Sequence, residues 1–321
     1  MLIYTLRRIL TMIPILFLVS IVVFALALAM PGDALSGQIN PANANPEYIE
    51  EMREELGLND PIHVQYGRWI AGIVQWDFGR SVVHSRDVTQ VIGDRLPNTI
   101  LLSAVSLIIT YILAFLMGRY AGRNPYTKGD YAIQGTNYLM LAIPSFVAAL
   151  FAIFIFSFQL GWFPSTGSVG RGLEAGTLDF WISKLYHTFL PALVLGALVT
   201  ASYTQFLRND IIESSQKDYV RTARAKGTSE SDIYNKHILR NSIIPIVTLF
   251  GFDIASIIGG AVIIETIFSY RGIGELLITS IQQRDSAVVL AVTLMLSVAT
   301  LLGNLLADLL YGVIDPRIRV E

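Results

Sequence analysis

The sequence predicts an all-α polytopic membrane protein with six transmembrane helices, on three observations. Of its 321 residues, 53% are hydrophobic and only 15% are charged. The apolar residues gather into six stretches nearly free of charge: Ile9–Met30, Thr99–Gly118, Tyr138–Leu160, His187–Leu207, Ile243–Ile264 and Val288–Leu310. Each is close to the roughly 20 residues that cross a bilayer as helix. Backbone in lipid must satisfy its own hydrogen bonds, and continuous runs of this length do so as helices, not as barrel strands.

The first stretch resembles a signal peptide in its Arg7-Arg8 start and its Ala27-x-Ala29 end. Its apolar run, about 21 residues, exceeds the usual 7–15, so it reads as an uncleaved span. With the N-terminus inside, the inner segments 1–8, 119–137, 208–242 and 311–321 carry 14 Lys/Arg in 73 residues. The outer segments 31–98, 161–186 and 265–287 carry nine in 117. This excess of cations places both termini in the cytoplasm.

Segment 31–98 reads as folded. Asn45-Pro46 and Asp60-Pro61 are helix starts, and Gly57 is a stop. Ile62, Tyr66, Trp69, Ile70 and Ile73 form one helical face, suited to packing on the protein's own outer surface or to docking a partner. A third short helix is expected at Asp87–Arg95, with Pro97-Asn98 launching the second span. The Gly-, Ser- and Thr-rich segment 161–186 reads as an ordered outer loop. Pro14, Pro144, Pro191 and Pro245 fall inside spans, where they imply bends rather than breaks. The expected division is 1–98, a first transmembrane helix with an extracytoplasmic helical segment, and 99–321, a bundle of five spans containing the inner loop 208–242.

Span five carries Gly251-x-x-x-Ala255-x-x-x-Gly259, a small-residue groove for close helix approach. Asp253 lies near its middle, roughly 200° around the helix from that groove. A carboxylate at this depth is costly unless protonated, paired or wetted. It reads either as lining a wet path or as a hydrogen bond that fixes packing. Asp308 is simpler, a residue at the membrane boundary.

The inner loop is the most specific feature. Asp218–Lys226 has the length of two helical turns, and Gly227 suits the left-handed stop. Ser229 with Asp232 resembles a capping pair for a second helix leading into span five. A helix–glycine–helix elbow on the inner surface could seat in another protein and carry its motion to span five; the alternative is a basic loop that only enforces topology. Several chemistries are excluded. There is no G-x-x-x-x-G-K-[ST] phosphate loop, no H-E-x-x-H and no G-x-S-x-G, so no ATP hydrolysis or intramembrane hydrolysis is expected of this chain. It has no cysteine, and its four histidines are scattered.

The segment Asp218-Tyr-Val-Arg-Thr-Ala-Arg-Ala-Lys-Gly227, followed by Leu239-Arg-Asn-Ser-Ile-Ile-Pro245, resembles the cytoplasmic motif of ABC-importer permeases. More narrowly it resembles the B-type membrane subunit of dipeptide and oligopeptide importers. The likeness runs along the whole chain. Tyr4-x-x-Arg7-Arg8, Pro31-Gly32-Asp33, Glu55-Leu-Gly-Leu-Asn-Asp-Pro61, Trp76-Asp-Phe-Gly79 and Arg95-Leu-Pro-Asn-Thr99 are similar to that family. So are Leu160-Gly-Trp-Phe-Pro164, Gly259-Gly-Ala261 with Glu265-Thr-Ile-Phe268, Asp308-Leu-Leu-Tyr311 and Asp315-Pro-Arg-Ile-Arg319. Two positions depart from it. Arg221 stands where the general permease motif has Glu, and Tyr270-Arg-Gly-Ile-Gly274 stands where W-P-G-x-G is common.

The resemblance implies a type I ABC-importer permease bundle of spans two to six with a peripheral first span. It implies ATPase coupling through Tyr219, Arg221, Thr222, Ala223, Ala225, Lys226 and Gly227. It also implies a second homologous permease, two ATP-binding subunits that hold ATP and Mg, and an extracytoplasmic substrate-binding protein delivering a peptide. No cofactor is expected in this chain, and no nucleic acid among its partners; lipid surrounds it in the cytoplasmic membrane. The readings beside this one are an ion-coupled secondary transporter, or an importer of a nickel chelate, glutathione or oligosaccharide.

Overall fold

The computed structural model describes residues 2–29, 46–55, 57–246, 253 and 261–314. Helix α1 (Leu2–Leu28) runs unbroken through Pro14. Two short helices follow, α2 (Pro46–Glu55) and α3 (Ile62–Val74). Gly57, at φ +65°, ends α2 as expected. The expected apolar face of α3 is used in part: Trp69 stacks on Phe24 of α1, Tyr66 meets the same ring edge-on, and the Tyr66 hydroxyl meets that of Ser20 at 2.8 Å, whereas Ile62 is exposed. A two-residue antiparallel ladder pairs β1 (Arg80–Ser81) with β2 (Arg86–Asp87).

Helix α4 (Val88–Arg123) begins directly after β2. The short helix expected at Asp87–Arg95 is not separate. It is the first quarter of α4, which passes through Pro97 without interruption. The expected boundary at residue 98 therefore falls inside one helix. Asn98, next to that proline, donates its amide to the Arg271 carbonyl at 2.7 Å.

The third span departs from expectation. Helix α5 (Lys128–Ala142) and helix α6 (Ser145–Ala152), which continues as π-helix through Ile153–Gln159, meet at 106°. Pro144 marks a break, not a bend. Ile143 is extended (φ −84°, ψ 123°), the conformation favoured before proline. Pro14, Pro97 and Pro191 instead lie within continuous helices.

Helix α7 (Leu178–Ser215) contains the whole fourth span and extends beyond it at both ends. Among the described residues, four helices are long and apolar enough to cross a membrane: α1, α4, α7 and the C-terminal α12 (Ser286–Ile314); the bent α5–α6 pair, counted as one span, makes a fifth. In the fifth apolar stretch, residues 247–252 and 254–260 lie outside the described residues, and with them the Gly251, Ala255 and Gly259 stripe. Pro31-Gly32-Asp33 and the ending Asp315–Arg319 lie outside them as well. After the stretch come α10 (Val262–Ile267) and α11 (Ile273–Gln283).

Helices α4 and α7 form the most extensive pair among the described residues. Small residues let them close. A Cβ on Gly118 would lie 2.9 Å from that of Leu207, and one on Gly122 would lie 2.8 Å from that of Ile211. From the other side, Gly196 faces the Ser106 carbonyl. Helix α1 packs on α12, where Arg8 pairs with Asp308 at 3.0 Å, so the start of the first span and the end of the last meet on one face.

A buried ion pair ties α5 to α7. Arg208 donates from Nε and Nη2 to the two oxygens of Asp130, each at 2.7 Å. The Tyr126 backbone N–H and the Gln134 side chain add donors at 2.8 and 3.0 Å. These donors, Arg208 first, hold the Asp130 carboxyl at about 2. Removing one partner of such a pair costs about 3–5 kcal/mol, so Asp130→Ala should lower the melting temperature of the detergent-solubilised chain sharply. The carboxyl sits below its unfolded value, so its contribution is complete above about pH 4. It is lost as pH falls towards 2. Melting curves of parent and Asp130→Ala should therefore converge over that window.

Candidate functional site

Three polar stations lie along α4 and α7. At one end is the elbow. Helix α8 (Asp218–Ala225) forms where expected, buries Val220 and Ala223 one turn apart, and turns its other residues outward. The buried pair rests on Leu207, Ile211, Ile233 and Leu239. Gly227, at φ +79°, ends the helix. The Thr228 N–H reaches the Ala223 carbonyl at 3.2 Å and the Gly227 N–H that of Arg224 at 3.1 Å, the two bonds of a Schellman stop. Ser229 then caps α9 (Glu230–Asp232), accepting from the Asp232 N–H at 3.2 Å. That helix runs on as π-helix over Ile233–Leu239 and as α-helix over 240–246.

Two contacts fix the elbow to α4. The Tyr234 hydroxyl donates to the Arg119 carbonyl at 3.1 Å, and the Arg123 guanidinium sits 4.9 Å over the Tyr234 ring. Across the turn, Arg224 grips Glu230 through two bonds of 2.5 and 3.0 Å. Of the residues expected to couple, Tyr219, Arg221, Thr222, Ala225, Lys226 and Gly227 are exposed on one surface, and Ala223 faces inward.

The second station is Asp253, helical and buried. Tyr203 of α7 donates its hydroxyl to one carboxylate oxygen at 2.6 Å, and Tyr111 of α4 bonds the other. The two rings lie 5.4 Å apart. A carboxylate inside the bundle is thus solvated by two phenols in place of water.

The third station, at the opposite end, is one that sequence reasoning misses. Glu265 is fully buried. It accepts from the Thr99 hydroxyl at 2.6 Å and from the Gly274 and Glu275 N–H groups, at 2.7 and 3.2 Å, which open α11. Thr99 in turn accepts from the Ile273 N–H at 2.7 Å. Burial pushes the Glu265 carboxyl up, against these donors. Positive helix ends favour the carboxylate. Gly272 is required by proximity: its Cβ would fall 2.3 Å from the carboxyl carbon and both oxygens. The motif pieces Arg95–Thr99, Glu265–Phe268 and Tyr270–Gly274 are therefore one hydrogen-bonded unit. A glycine pair a helical turn or two after an apolar-flanked Glu was the signal available in the sequence.

Residues 112–320 match the family described as binding-protein-dependent transport system inner membrane component, and residues 1–103 match the N-terminal membrane-component family of such systems. The chain is 40% identical over 316 residues to the oligopeptide transport system permease protein AppB of Bacillus subtilis, covering 98% of each. It is 36% identical over 326 residues to the glutathione transport system permease protein GsiC of Shigella flexneri, covering all of each.

The Glu265 unit makes a direct prediction. Gly272→Ala should destabilise the chain by about 1–3 kcal/mol through overpacking, read as a lower melting temperature in detergent. Gly135→Ala, in α5 with nothing within 4 Å of the added carbon, should be neutral or slightly stabilising.

Proposed function

Because the chain belongs to the family of binding-protein-dependent transport system inner membrane components, we propose that it is the B-type permease of an ATP-driven peptide importer. It spans the cytoplasmic membrane with both termini inside. It pairs with a second, homologous permease and receives peptide from an extracytoplasmic binding protein. Two ATP-binding subunits, which hold ATP and Mg, press on its inner face. The names of its relatives, for oligopeptides and for glutathione, support a peptide substrate. We assign the path for that substrate to the neighbourhood of Asp253, the acid held by Tyr111 and Tyr203.

The elbow carries this reading. A loop that only enforced topology would need cations and nothing else. Here a two-turn helix clusters with α7 through Val220 and Ala223, the helix after the turn holds α4 through Tyr234, and the elbow presents a basic exposed surface. A push on that surface reaches two helices that cross the membrane.

Orientation is tested with single cysteines in this thiol-free chain. Glu51→Cys and Arg171→Cys should react with an impermeant reagent in intact cells. Lys128→Cys and Lys217→Cys should react only after the membrane is opened. Labelling of Lys128→Cys from outside would reverse the orientation.

Coupling is tested at the turn. Gly227→Val forces a β-branched residue into the left-handed region, where it is strongly disfavoured. Insertion should survive, because the spans lie outside the turn. Import by the assembled transporter should fall by at least about tenfold, the effect of roughly 1.4 kcal/mol. Ala225→Cys should cross-link to the ATP-binding subunit, and do so less well beside Gly227→Val. Parental import with undiminished cross-linking would make the elbow a connector only.

A further inference from the structure

Above the Glu265 unit the outer surface opens into a cleft of about 390 Å³ between the start of α4, the loop at Ser168 and Val169, the start of α7 and Arg271. Its charges do not balance. Asp94 is held by Arg86 at 2.8 Å, and Arg95 is held by Glu275 at 2.8 Å. Lys184 and Arg271 have no acidic partner among the described residues.

Lys184 is an unusual cation to leave so. It is only 9% exposed, and its stem lies beside Phe180 and Trp181, whose rings are 5.7 and 5.4 Å from its ammonium. Burial pushes its pKa down. Aromatic faces offset part of the lost hydration, but no carboxylate among the described residues restores it. A lysine buried this deeply is normally paired.

The geometry points to a carboxylate-binding site, in which Lys184 and Arg271 receive the C-terminal carboxylate of a peptide entering from the outer face. This rests on the peptide-importer reading. Three features favour a chain end over an acidic surface of another protein. The cleft is concave, so a broad surface cannot bring an acid down to Lys184. Its volume suits an end group and one or two residues. Val91, Val169 and Phe180 line it beside the cations, giving the last side chain an apolar seat. The backbone that carries Arg271 is held in place, since Asn98 binds its carbonyl and the neighbouring Tyr270 hydroxyl meets Thr188 at 2.9 Å. A guanidinium and an ammonium together match the two oxygens of one carboxylate.

The test uses Val169→Cys in the assembled transporter in nanodiscs, with an anionic and a cationic methanethiosulfonate of similar size. The anionic reagent should react about tenfold faster, as expected in a cleft of one sign of charge. Millimolar trialanine should slow the reaction several-fold, and trialaninamide, which lacks the carboxylate, should not. Lys184→Gln should abolish that protection and most of the reagent preference; Lys184→Arg should keep both. Import of trialanine by the parental assembly, with Val169 intact, is measured in parallel. If trialanine is imported but gives no protection, the cleft assignment is overturned and the importer reading stands. If acetate protects, while trialanine neither protects nor is imported, the peptide reading falls and the assignment with it. Equal rates for the two reagents, unchanged in Lys184→Gln, would show that no anion site exists.

Discussion

Helix α4 closes on α7 because glycine and alanine stand wherever the two axes meet, and the other parts of the structure hang from that contact. Ala114, Gly118 and Gly122 recur every four residues down α4, and Leu207 and Ile211 of α7 fill the space they leave. Lipid provides no hydrophobic drive for one helix to prefer another over its surroundings. Contact must come from backbone proximity and interlocking side chains. The Thr110 hydroxyl adds a bond of 3.1 Å to the Gly196 carbonyl, possible only at this separation. Larger residues at 118 or 122 would part the helices over several turns, since Leu207 and Ile211 are themselves buried and have nowhere to go.

Each polar station then uses one end or the middle of that pair. The elbow rests on one end of the pair, Asp253 is held between Tyr111 and Tyr203 in the interior, and Thr99, towards the other end of α4, carries Glu265. About 30 Å of helix separates Lys184 from Tyr203, at 1.5 Å per residue. The buried acids along this length meet dedicated donors: a guanidinium for Asp130, two phenols for Asp253, a hydroxyl and two backbone N–H groups for Glu265. An acid missing one donor in such surroundings would bear its full desolvation cost. The arrangement therefore specifies which helices meet as much as it holds them together.

What the sequence made legible was local. Apolar runs announced the spans, and Gly227, Ser229 and Gly57 announced helix ends, because a left-handed glycine or a capping hydroxyl acts within a few residues. Proline was harder. It always removes one donor and clashes one turn back, yet α4 and α7 run through Pro97 and Pro191 whereas Pro144 divides α5 from α6. The outcome depends on what packs around the freed carbonyl, which no local pattern records. Thr99 and Glu265 lie 166 residues apart, so their bond could not be read from spacing. The α4 stripe was present in the sequence but masked by the bulky residues between its members; the stripe that stood out, Gly251-x-x-x-Ala255-x-x-x-Gly259, lies outside the described residues.

The departure at Arg221 can be weighed by what the fold asks of it. Arg221 lies 3.5 Å from Asp218, but its side chain is 75% exposed and that of Asp218 95% exposed. A pair in that setting contributes almost nothing to stability, since water competes for both charges. Its neighbours Val220 and Ala223 are buried, and Arg224 spans the turn to Glu230, so the packing of the elbow rests on them and not on Arg221. The fold would accept either sign of charge at 221. Packing therefore does not dictate the residue at 221. Under the importer reading proposed above, an outward position with no internal duty, on a helix whose inward positions are fixed by packing, is where a partner's charge would be met.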